Sequence, residues 1–312
     1  MDSKAKTRKS VPLLFEIKGN SLDDGPGIRT VVFFKGCPLN CVWCHNPESR
    51  NSGEEISYDP KKCIGCGRCV DTCTEKALSK NNRYYINRER CTLCFACIGE
   101  CPSGAISRVG FKMSVEDVVH KIIIDKPFFD NSGGGVTLSG GEPTLYMKYA
   151  ADLSKSLKDK GIHVLLETCG LFSYERFKEL LYPYLDAIYY DIKFLDGLEH
   201  KRFCGTTNSV ILDNFIRLLE DAKKGGPSVI PRTPLIPGIT DTVANMEAIA
   251  GFLRKHSVKK AELLSYNPLW HEKSWSIGCE DILINNPNMN KFMAHEEMQC
   301  CKNIFKAGGL DL

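Results

Sequence analysis

Three short runs of cysteine constrain the fold of this 312-residue chain more than any other feature. Eleven of its sixteen cysteines lie in them: the first run has the spacing C-x3-C-x2-C, and the second and third both have C-x2-C-x2-C-x3-C. Thiols at these intervals on one loop are typical of metal ligands, whereas disulfide frameworks are typical of small secreted domains. The other five cysteines fit no metal spacing and are expected to be ordinary thiols: Cys169, Cys204, Cys279, Cys300 and Cys301.

The charge balance and the hydropathy exclude several classes of partner. The 41 basic and 38 acidic residues leave a formal charge of +3, which is too small an excess to indicate nucleic acid binding. No apolar run reaches the length of about 18 residues that a membrane-spanning helix needs. The basic N-terminus lacks the apolar stretch of a secretory signal. We therefore expect a cytoplasmic protein without membrane or nucleic acid partners, with residues 1–13 as a disordered basic tail.

Outside the second and third runs, apolar strands alternate with helical patterns, which predicts a parallel α/β sheet. Six such strands indicate a partial (β/α)6 barrel built from residues 14–51 and 109–312. Chemistry in such folds lies at the C-terminal ends of the strands. The predicted strands are residues 30–35, 136–139, 162–168, 186–191, 228–233 and 261–266. The predicted helices are residues 173–181, 210–223, 243–255 and 295–306, with Ser114 as the cap of another.

Residues 52–108 have a different character, because they hold the second and third runs and little apolar periodicity. A segment with so few core residues needs metal to fold. It interrupts the barrel pattern between the first strand and the first long helix. We interpret it as a small inserted domain.

The first run directly follows a predicted strand and consists of Cys37, Cys41 and Cys44. Three thiolates can hold three irons of a cubane cluster and leave the fourth iron open, and an open coordination site is what a substrate needs to bind a metal. A zinc site completed by His45 is the alternative, as are three unliganded thiols.

The motifs around this run resemble those of the radical S-adenosylmethionine superfamily. Residues 24–30 (DGPGIRT), 43–47 (WCHNP) and 131–143 (NSGGGVTLSGGEP) are similar to the activating enzymes of glycyl radical enzymes. The resemblance extends from about Leu14 to the last helix. It implies an oxidoreductase that cleaves S-adenosylmethionine reductively at a [4Fe–4S] cluster. The 5′-deoxyadenosyl radical would then remove a hydrogen from a backbone glycine of a partner enzyme.

The resemblance also implies a role for residues at the strand ends. Gly140, Gly141 and Glu142 match the segment that binds the methionyl amino group, although a Gly-Gly turn by itself indicates only a structural turn. Glu167, Thr168 and Asp191 match positions that hold a monovalent cation beside the cosubstrate. The alternative is that an acidic residue at a strand end only caps the helix that follows. The remaining cosubstrate contacts implied are Lys193, Arg232 and Asn267 for the carboxylate or ribose, and Trp43 and His45 for the adenine site. An exposed His45 without a role is the alternative.

The loop before the first strand is a further candidate. Asp23, Gly25, Pro26, Gly27 and Arg29 match the region that faces the partner's glycine loop in the family. The alternative is a tight turn fixed by a salt bridge.

The second and third runs repeat the pattern of bacterial two-cluster ferredoxins, in which the fourth cysteine of each run ligates the other cluster. One cluster is therefore assigned to Cys63, Cys66, Cys69 and Cys101, and the other to Cys73, Cys91, Cys94 and Cys97. Zinc is the alternative. Clusters whose irons are all bound by cysteine suit electron transfer, so we expect the insert to relay electrons from a flavodoxin or ferredoxin. Together with the cluster of the first run, we expect three clusters in all.

The leading hypothesis is a monomeric activating enzyme of a glycyl radical enzyme, of the subgroup with a two-cluster insert. That subgroup contains activators of benzylsuccinate-type synthases, diol or choline lyases and arylacetate decarboxylases, and we favour a benzylsuccinate synthase-like partner. Two alternatives stay open. One is a radical enzyme acting on a small molecule, and the other is an iron–sulfur electron carrier.

Overall fold

One mixed sheet of eight strands dominates the computed structural model, which describes residues 11–280 and 282–312. The strands of the whole structure are β1 Leu13–Ser21, β2 Arg29–Phe34, β3 Glu55–Tyr58, β4 Ile106–Val109, β5 Phe111–Lys112, β6 Gly135–Gly140, β7 His163–Thr168, β8 Ala187–Asp191, β9 Ser228–Pro234 and β10 Glu262–Leu264. The sheet has the order β10-β9-β8-β7-β6-β2-β1-β5. Its six strands from β10 to β2 are parallel, so the predicted α/β partial barrel is confirmed.

The helices are α1 Arg68–Thr72, α2 Ala96–Gly99, α3 Val115–Ile122, α4 Lys126–Ser132, α5 Met147–Lys158, α6 Tyr174–Leu180, α7 Gly197–Cys204, α8 Ser209–Lys223, α9 Val243–Lys255, α10 Trp270–Ser276 and α11 His295–Ala307. The two short helices α1 and α2 lie in the insert, and most of the others follow the parallel strands and cover the sheet. The predicted cap of α3 is confirmed, since the Ser114 side chain accepts a hydrogen bond from the Asp117 backbone N–H.

The main core lies between the sheet and these helices. Buried aliphatic side chains of the central strands, such as Leu138, Val164 and Ile188, meet the apolar faces of the helices, such as Leu153 and Phe215. Strands covered by helices are expected to be apolar along nearly their whole length. This is why runs such as VLLE and AIYY stand out in the sequence.

The edge of the sheet beside β2 differs from the prediction. β1 pairs antiparallel with β2, with Ile17 opposite Val32, and β5 pairs antiparallel with β1. Leu13, which the sequence analysis placed in the tail, begins β1. Residues 1–10 lie outside the described residues.

The insert forms a unit of its own against the barrel. Its ends are tied by the antiparallel pair β3 and β4, with Ile56 opposite Arg108. Between these strands lie two short helices, α1 and α2, and a small core in which cysteines contact Ile56, Leu78 and Tyr85. The two strands bring residues 55 and 109 together, which lets the insert leave and rejoin the barrel at one place.

A buried ion pair joins the insert to the barrel. Lys35 lies at the end of β2 with a side chain that is 0% exposed, and its Nζ lies 2.6 Å from Oε2 of Glu55 in β3. The ammonium also donates to the backbone oxygen of Glu48. Among the described residues, no helix is long and apolar enough to span a bilayer.

Candidate active site

A cavity of about 690 Å³ opens at the C-terminal ends of the parallel strands. That volume lies within the range of roughly 300–1,000 Å³ that is usual for small-molecule and cofactor sites. Most of the predicted site residues line it, namely Cys37, Cys41, Trp43, Cys44, His45, Gly140, Gly141, Glu167, Thr168, Asp191, Lys193, Arg232 and Asn267. Residues that are distant in sequence therefore meet at one end of the barrel, as expected for this fold.

The loop of the first cysteine run is fixed by backbone hydrogen bonds at its middle and at its start. The Asn40 and Val42 N–H groups donate to the backbone oxygens of Cys204 and Phe203, at 2.8 and 3.0 Å. At the start of the loop, the Gly36 N–H donates to Ser49 O at 2.6 Å. The C-terminal end of α7 thus positions the loop, and no local sequence pattern indicates this contact.

Two cysteines outside the runs lie against the first run. Cys204 is fully buried in one cluster with Cys41 and Cys169. The Cys204 thiol donates to Cys41, which lowers the pKa of Cys41 and raises that of Cys204. A hydrogen bond to Cys37, together with burial, raises the pKa of Cys169. Cys169 directly follows the strand-end residue Thr168, a position that could have marked it as a site residue.

The chemistry of this donor set fits a cubane cluster better than a single ion. Among the described residues, no three or more His, Cys, Asp or Glu side chains are grouped as ligands of one metal ion. A cubane does not need such a grouping, because each thiolate bonds a different iron. Cys37, Cys41 and Cys44 all line the same cavity.

The two glycines after β6 allow a close approach of two backbones. A Cβ on Gly140, whose φ is +111°, would lie 2.4 Å from Phe34 N, and one on Gly141 would lie 2.1 Å from Gly36 O. Neither position has room for a side chain. The pair therefore brings the strand end against the segment that leads into Cys37, in addition to lining the cavity.

Glu142 differs from the prediction, because it is not among the residues that line the cavity. Its side chain is 0% exposed and accepts hydrogen bonds from the Thr144 N–H, the Thr168 hydroxyl and the Cys169 N–H. The carboxylate ties the end of β6 to the end of β7. These hydrogen bonds show a structural role for Glu142, and its predicted contact with the cosubstrate stays a prediction.

The charged side chains of the cavity form one connected group. Arg232 Nη1 lies 2.6 Å from Glu167, its Nη2 lies 3.3 Å from Asp191, and Lys193 Nζ lies 2.9 Å from Asp191. Burial raises the pKa of Glu167 against the opposing effect of Arg232. For Asp191 the effect of burial is outweighed by Lys193 and Arg232, which lower its pKa. Glu167 also accepts a hydrogen bond from Ser139.

Two buried polar atoms at the cavity have no hydrogen-bond partner among the residues that the structure describes. They are Nε2 of His45 and Nε of Arg232. Burial, with Lys273 and His271 nearby, lowers the pKa of His45 to about 4, so its ring is neutral at pH 7. Unpaired buried polar groups are rare and costly. A polar ligand in the cavity would supply the missing partners. The His45 side chain is not exposed, and its contact with the adenine stays a prediction.

The predicted residue Trp43 is buried against Phe194 and Phe203. The centroid of its ring lies 6.1 Å from that of Phe194 and 6.2 Å from that of Phe203.

Several lining residues were not predicted. The residues that the sequence analysis did not assign to the cosubstrate site include Asp23, Asp24, Ser139, Cys169, Ser265 and Met298. They come from loops and strand ends whose direction no local pattern reveals.

The loop before β2 divides into an exposed and a buried part. Asp23 is exposed, whereas Arg29 is 0% exposed. The Arg29 guanidinium donates to Thr137 Oγ1 at 2.7 Å and to Val136 O at 2.6 Å, and burial lowers its pKa to about 10. Arg29 therefore fixes the loop from inside and is not available as a direct contact for a partner.

The cysteines of the insert line two separate cavities. One is lined by Cys63, Cys66, Cys69 and Cys101, and the other by Cys73, Cys91, Cys94 and Cys97. Each cavity thus takes three cysteines from one run and the fourth from the other run. This is the grouping that the ferredoxin repeat predicts.

Two family models match the chain. The Radical SAM superfamily matches residues 87–250, and the 4Fe-4S dicluster domain matches residues 62–105. The first match covers more than half of the chain, and the second lies within the insert.

Several curated proteins are similar over most of their length. The isethionate sulfite-lyase activating enzyme of Nitratidesulfovibrio vulgaris is 40% identical, over 85% of this chain and 87% of the relative. The (2S)-3-sulfopropanediol dehydratase activating enzyme of Klebsiella oxytoca is 36% identical over 96% and 95%. The benzylsuccinate synthase activating enzyme of Thauera aromatica is 37% identical over 82% and 79%. A solved domain of pyruvate-formate lyase-activating enzyme from Bacteroides vulgatus has 28% identity and a TM-score of 0.46, and covers 57% of this chain and 97% of its own.

Proposed function

The chain belongs to the radical S-adenosylmethionine activating enzymes of glycyl radical enzymes, and from that membership we propose how its own residues carry out the reaction. The predicted family and enzyme class are confirmed. The enzyme cleaves S-adenosylmethionine and generates a glycyl radical on a partner enzyme. The assignment of individual residues, of the cluster number and of the partner is our proposal.

The cavity at the strand ends is the observation that supports these assignments. It combines the three thiols of the first run with two cations, Lys193 and Arg232, and with the unpaired His45 ring. When bound there by Cys37, Cys41 and Cys44, a [4Fe–4S] cluster supplies the electron that breaks the sulfonium bond and so yields the 5′-deoxyadenosyl radical.

The residues of the chain bind and orient the cosubstrate. Lys193 and Arg232 attract its carboxylate, and the Arg232 Nε that lacks a partner is available to donate to it. The segment of Gly140 and Gly141 receives the methionyl amino group. His45, with Trp43 beside it, offers an unpaired ring nitrogen to the adenine, and Asn267 lies at the rim for the ribose or carboxylate.

We assign three clusters to the protein, one in the first run and two in the insert, residues 52–108. The two four-cysteine cavities of the insert support this number. A monovalent cation beside Glu167, Thr168 and Asp191 stays a prediction. Both carboxylates are already paired with Arg232, so a cation there would compete with the guanidinium.

The partner is a glycyl radical enzyme whose substrate the comparisons do not select. The relatives act as activators for enzymes named after isethionate, benzylsuccinate and choline, among others, at 40%, 37% and 34% identity. These identities are too similar to favour one substrate. A benzylsuccinate synthase-like partner therefore stays a prediction.

The setting of the reaction completes the proposal. A flavodoxin or ferredoxin supplies the electron, because a low-potential cluster needs a low-potential donor. The enzyme acts as a monomer in the cytoplasm. All sixteen cysteines lie among the described residues, where none forms a disulfide, and this suits a reducing compartment.

Replacement of one cluster ligand tests the function. We expect Cys41→Ala to abolish the formation of 5′-deoxyadenosine in reconstituted, dithionite-reduced protein, because only two thiolates would remain. Cys300→Ala is the matched control, since Cys300 is exposed and outside the three runs. Retained cleavage in Cys41→Ala would contradict the assigned site.

A second measurement tests the partner. After incubation of the reduced enzyme and S-adenosylmethionine with a purified glycyl radical enzyme, the EPR spectrum should show a glycyl radical doublet. A panel of partner enzymes with different substrates would identify the one that is activated. Turnover of a small molecule without any partner protein, and no doublet with any partner, would favour the small-molecule alternative.

A further inference from the structure

Helix α10 contacts the active site with one side. Trp270 is buried in the same cluster as Cys41, Trp43 and Tyr266. Its indole N–H donates to the Tyr266 hydroxyl at 2.9 Å, and the Tyr266 ring lies 5.8 Å from the His45 ring. Lys273 donates to the His45 backbone oxygen at 3.3 Å. The first turn of α10 is therefore part of the wall around the first cysteine run.

The same helix contacts the insert with its other end. The Trp275 ring lies 6.0 Å from Tyr58 and 6.1 Å from Tyr84. Arg88 donates to Ser276 O at 3.0 Å and to Ile56 O at 3.2 Å, which ties the helix end to β3. At the surface, Lys61 forms an ion pair with Glu272 at 2.7 Å. The insert thus rests directly on α10.

The aromatic contacts continue from Trp275 to one of the two insert cavities. Tyr58 and Tyr85 are stacked with ring centroids 4.0 Å apart, and both line the cavity of Cys63, Cys66, Cys69 and Cys101. The Tyr85 hydroxyl lies 3.2 Å from the Cys69 sulfur. The Tyr85 hydroxyl is therefore placed to donate a hydrogen bond to the sulfur of Cys69.

The second insert cavity has a different environment. The aromatic residue among those lining it is Phe95, whose ring is covered by the Arg108 guanidinium at 4.6 Å. The two four-cysteine cavities are therefore not equivalent with respect to α10. The stacked tyrosines link the first cavity to Trp275 of α10 by ring contacts. The second cavity is linked to α10 by hydrogen bonds, since Ile56 lines it and Arg88 donates to both Ile56 O and Ser276 O.

On the basis of the proposed function, we infer that electrons leave the insert from the cluster of Cys63, Cys66, Cys69 and Cys101 and reach the active site through Tyr58, Trp275 and α10. Electron tunnelling weakens steeply across gaps between atoms, so a continuous path of packed rings and one helix is a better medium than solvent. The rings are neither oxidised nor reduced; they only fill the gap.

The step is a one-electron exchange. The reduced insert cluster gives up one electron and returns to its oxidised state, and the cluster of Cys37, Cys41 and Cys44 gains that electron. No bond forms or breaks, and no proton moves. An external low-potential one-electron donor, such as a reduced flavodoxin, restores the insert cluster.

The rate of this internal transfer provides the test. The protein, loaded with all clusters and with S-adenosylmethionine, is mixed with a photoreduced flavin that supplies less than one electron per protein molecule. Rapid freezing and EPR would then follow the cluster signal that responds to S-adenosylmethionine. We expect Trp275→Leu to slow the appearance of that signal several-fold and Trp275→Phe to restore most of the rate. Tyr84→Leu is the matched control. It also removes a ring that packs against Trp275, but this ring lies outside the path through Tyr58. The transfer rate of Tyr84→Leu should therefore equal that of the wild type.

A second variant identifies the cluster that donates, without any risk to the interface. Tyr85→Phe keeps the stacked ring but removes the hydroxyl beside Cys69. Hydrogen bonds to cluster sulfurs are among the factors that set the potential. The potential of one insert cluster should therefore fall while that of the other is unchanged, and the shifted cluster should be the one that feeds the active site.

Three results would overturn the route. They are a wild-type transfer rate in Trp275→Leu, equal slowing in Trp275→Leu and Tyr84→Leu, and transfer from the cluster that Tyr85→Phe leaves unshifted. If Trp275→Leu were to lose iron, the Tyr85→Phe measurement would still decide. Wild-type protein that transfers the electron but forms no 5′-deoxyadenosine would instead contradict the proposed function.

Discussion

Glu142 is a single buried carboxylate that connects the residues at the base of the active site. It accepts hydrogen bonds from Thr144, which lies in the turn after β6, and from Thr168 and Cys169, which lie at and just after the end of β7. Thr168 and Cys169 in turn line the cavity. The positions of Thr168 and Cys169 therefore depend on the Glu142 carboxylate, which does not itself line the cavity.

Replacement of Glu142 by alanine should mainly lower stability. The buried Thr168 hydroxyl and Cys169 N–H would lose their acceptor, at a cost of roughly 3 kcal/mol in the free energy of unfolding. Thermal unfolding under anaerobic conditions would measure it. Glu179→Ala, at an exposed position of α6, is the control and should leave the melting temperature unchanged. A normal melting temperature together with weakened S-adenosylmethionine binding would return Glu142 to the predicted role of ligand contact.

At the level of residues, the sequence analysis predicted residues of the cavity where a motif defines them. The three cysteines of the first run and the strand-end residues Lys193 and Arg232 all line the cavity. It could not show that Arg29 is buried or that Cys204 lies against Cys41. Both facts depend on contacts between distant segments, and a charged or thiol side chain carries no local signal of such a contact.

At the level of elements, the predicted strands and helices were confirmed where burial produces a clear apolar pattern in the sequence. The buried parallel strands and the amphipathic helix α9, Val243–Lys255, have the predicted positions. The edge strand β1 was missed, because it is buried only at its ends and alternates with charged residues. Helix α10 was missed as well, since its seven residues serve two different neighbours and show no single apolar face.

The junction between β2 and β3 rests on the ion pair of Lys35 and Glu55. Removal of one partner of a buried pair leaves an uncompensated charge, which costs about 3–5 kcal/mol when burial is complete. Glu55 is 18% exposed and Lys35 keeps a hydrogen bond to Glu48 O. The loss in Glu55→Ala should therefore lie near the lower end, at about 3 kcal/mol in the free energy of unfolding.

The neighbouring residue provides the comparison for this prediction. Glu54 pairs with Arg108 at the surface, where the two side chains are 31% and 48% exposed. Exposed pairs contribute roughly 0–1 kcal/mol, so Glu54→Ala should have little effect. Denaturant unfolding of both variants would measure the difference. Equal losses would show that the buried pair does not stabilise the junction.

At the scale of the whole molecule, the insert depends on cysteines whose cluster assignment crosses between the runs. The two cavities combine Cys101 with the second run and Cys73 with the third. The spacing predicts this grouping, because the ferredoxin pattern is a local repeat. The sequence does not predict that the insert packs against α10, since single residues such as Trp275 and Arg88 make these contacts.

The iron content of double variants tests the crossed assignment. If Cys63 and Cys101 serve one cluster, Cys63→Ala/Cys101→Ala should lose about four irons, no more than either single variant. Cys63 and Cys73 serve different clusters, so Cys63→Ala/Cys73→Ala should lose about eight. Such non-additivity is the signature of residues that act on one site. Iron and sulfide analysis after anaerobic reconstitution would measure both, with Cys279→Ala, outside the runs, as the control that keeps all iron. The reverse pattern, with the larger loss in Cys63→Ala/Cys101→Ala, would mean that each run ligates its own cluster. It would also remove Cys101 from the cluster that lies beside Tyr58 and Tyr85.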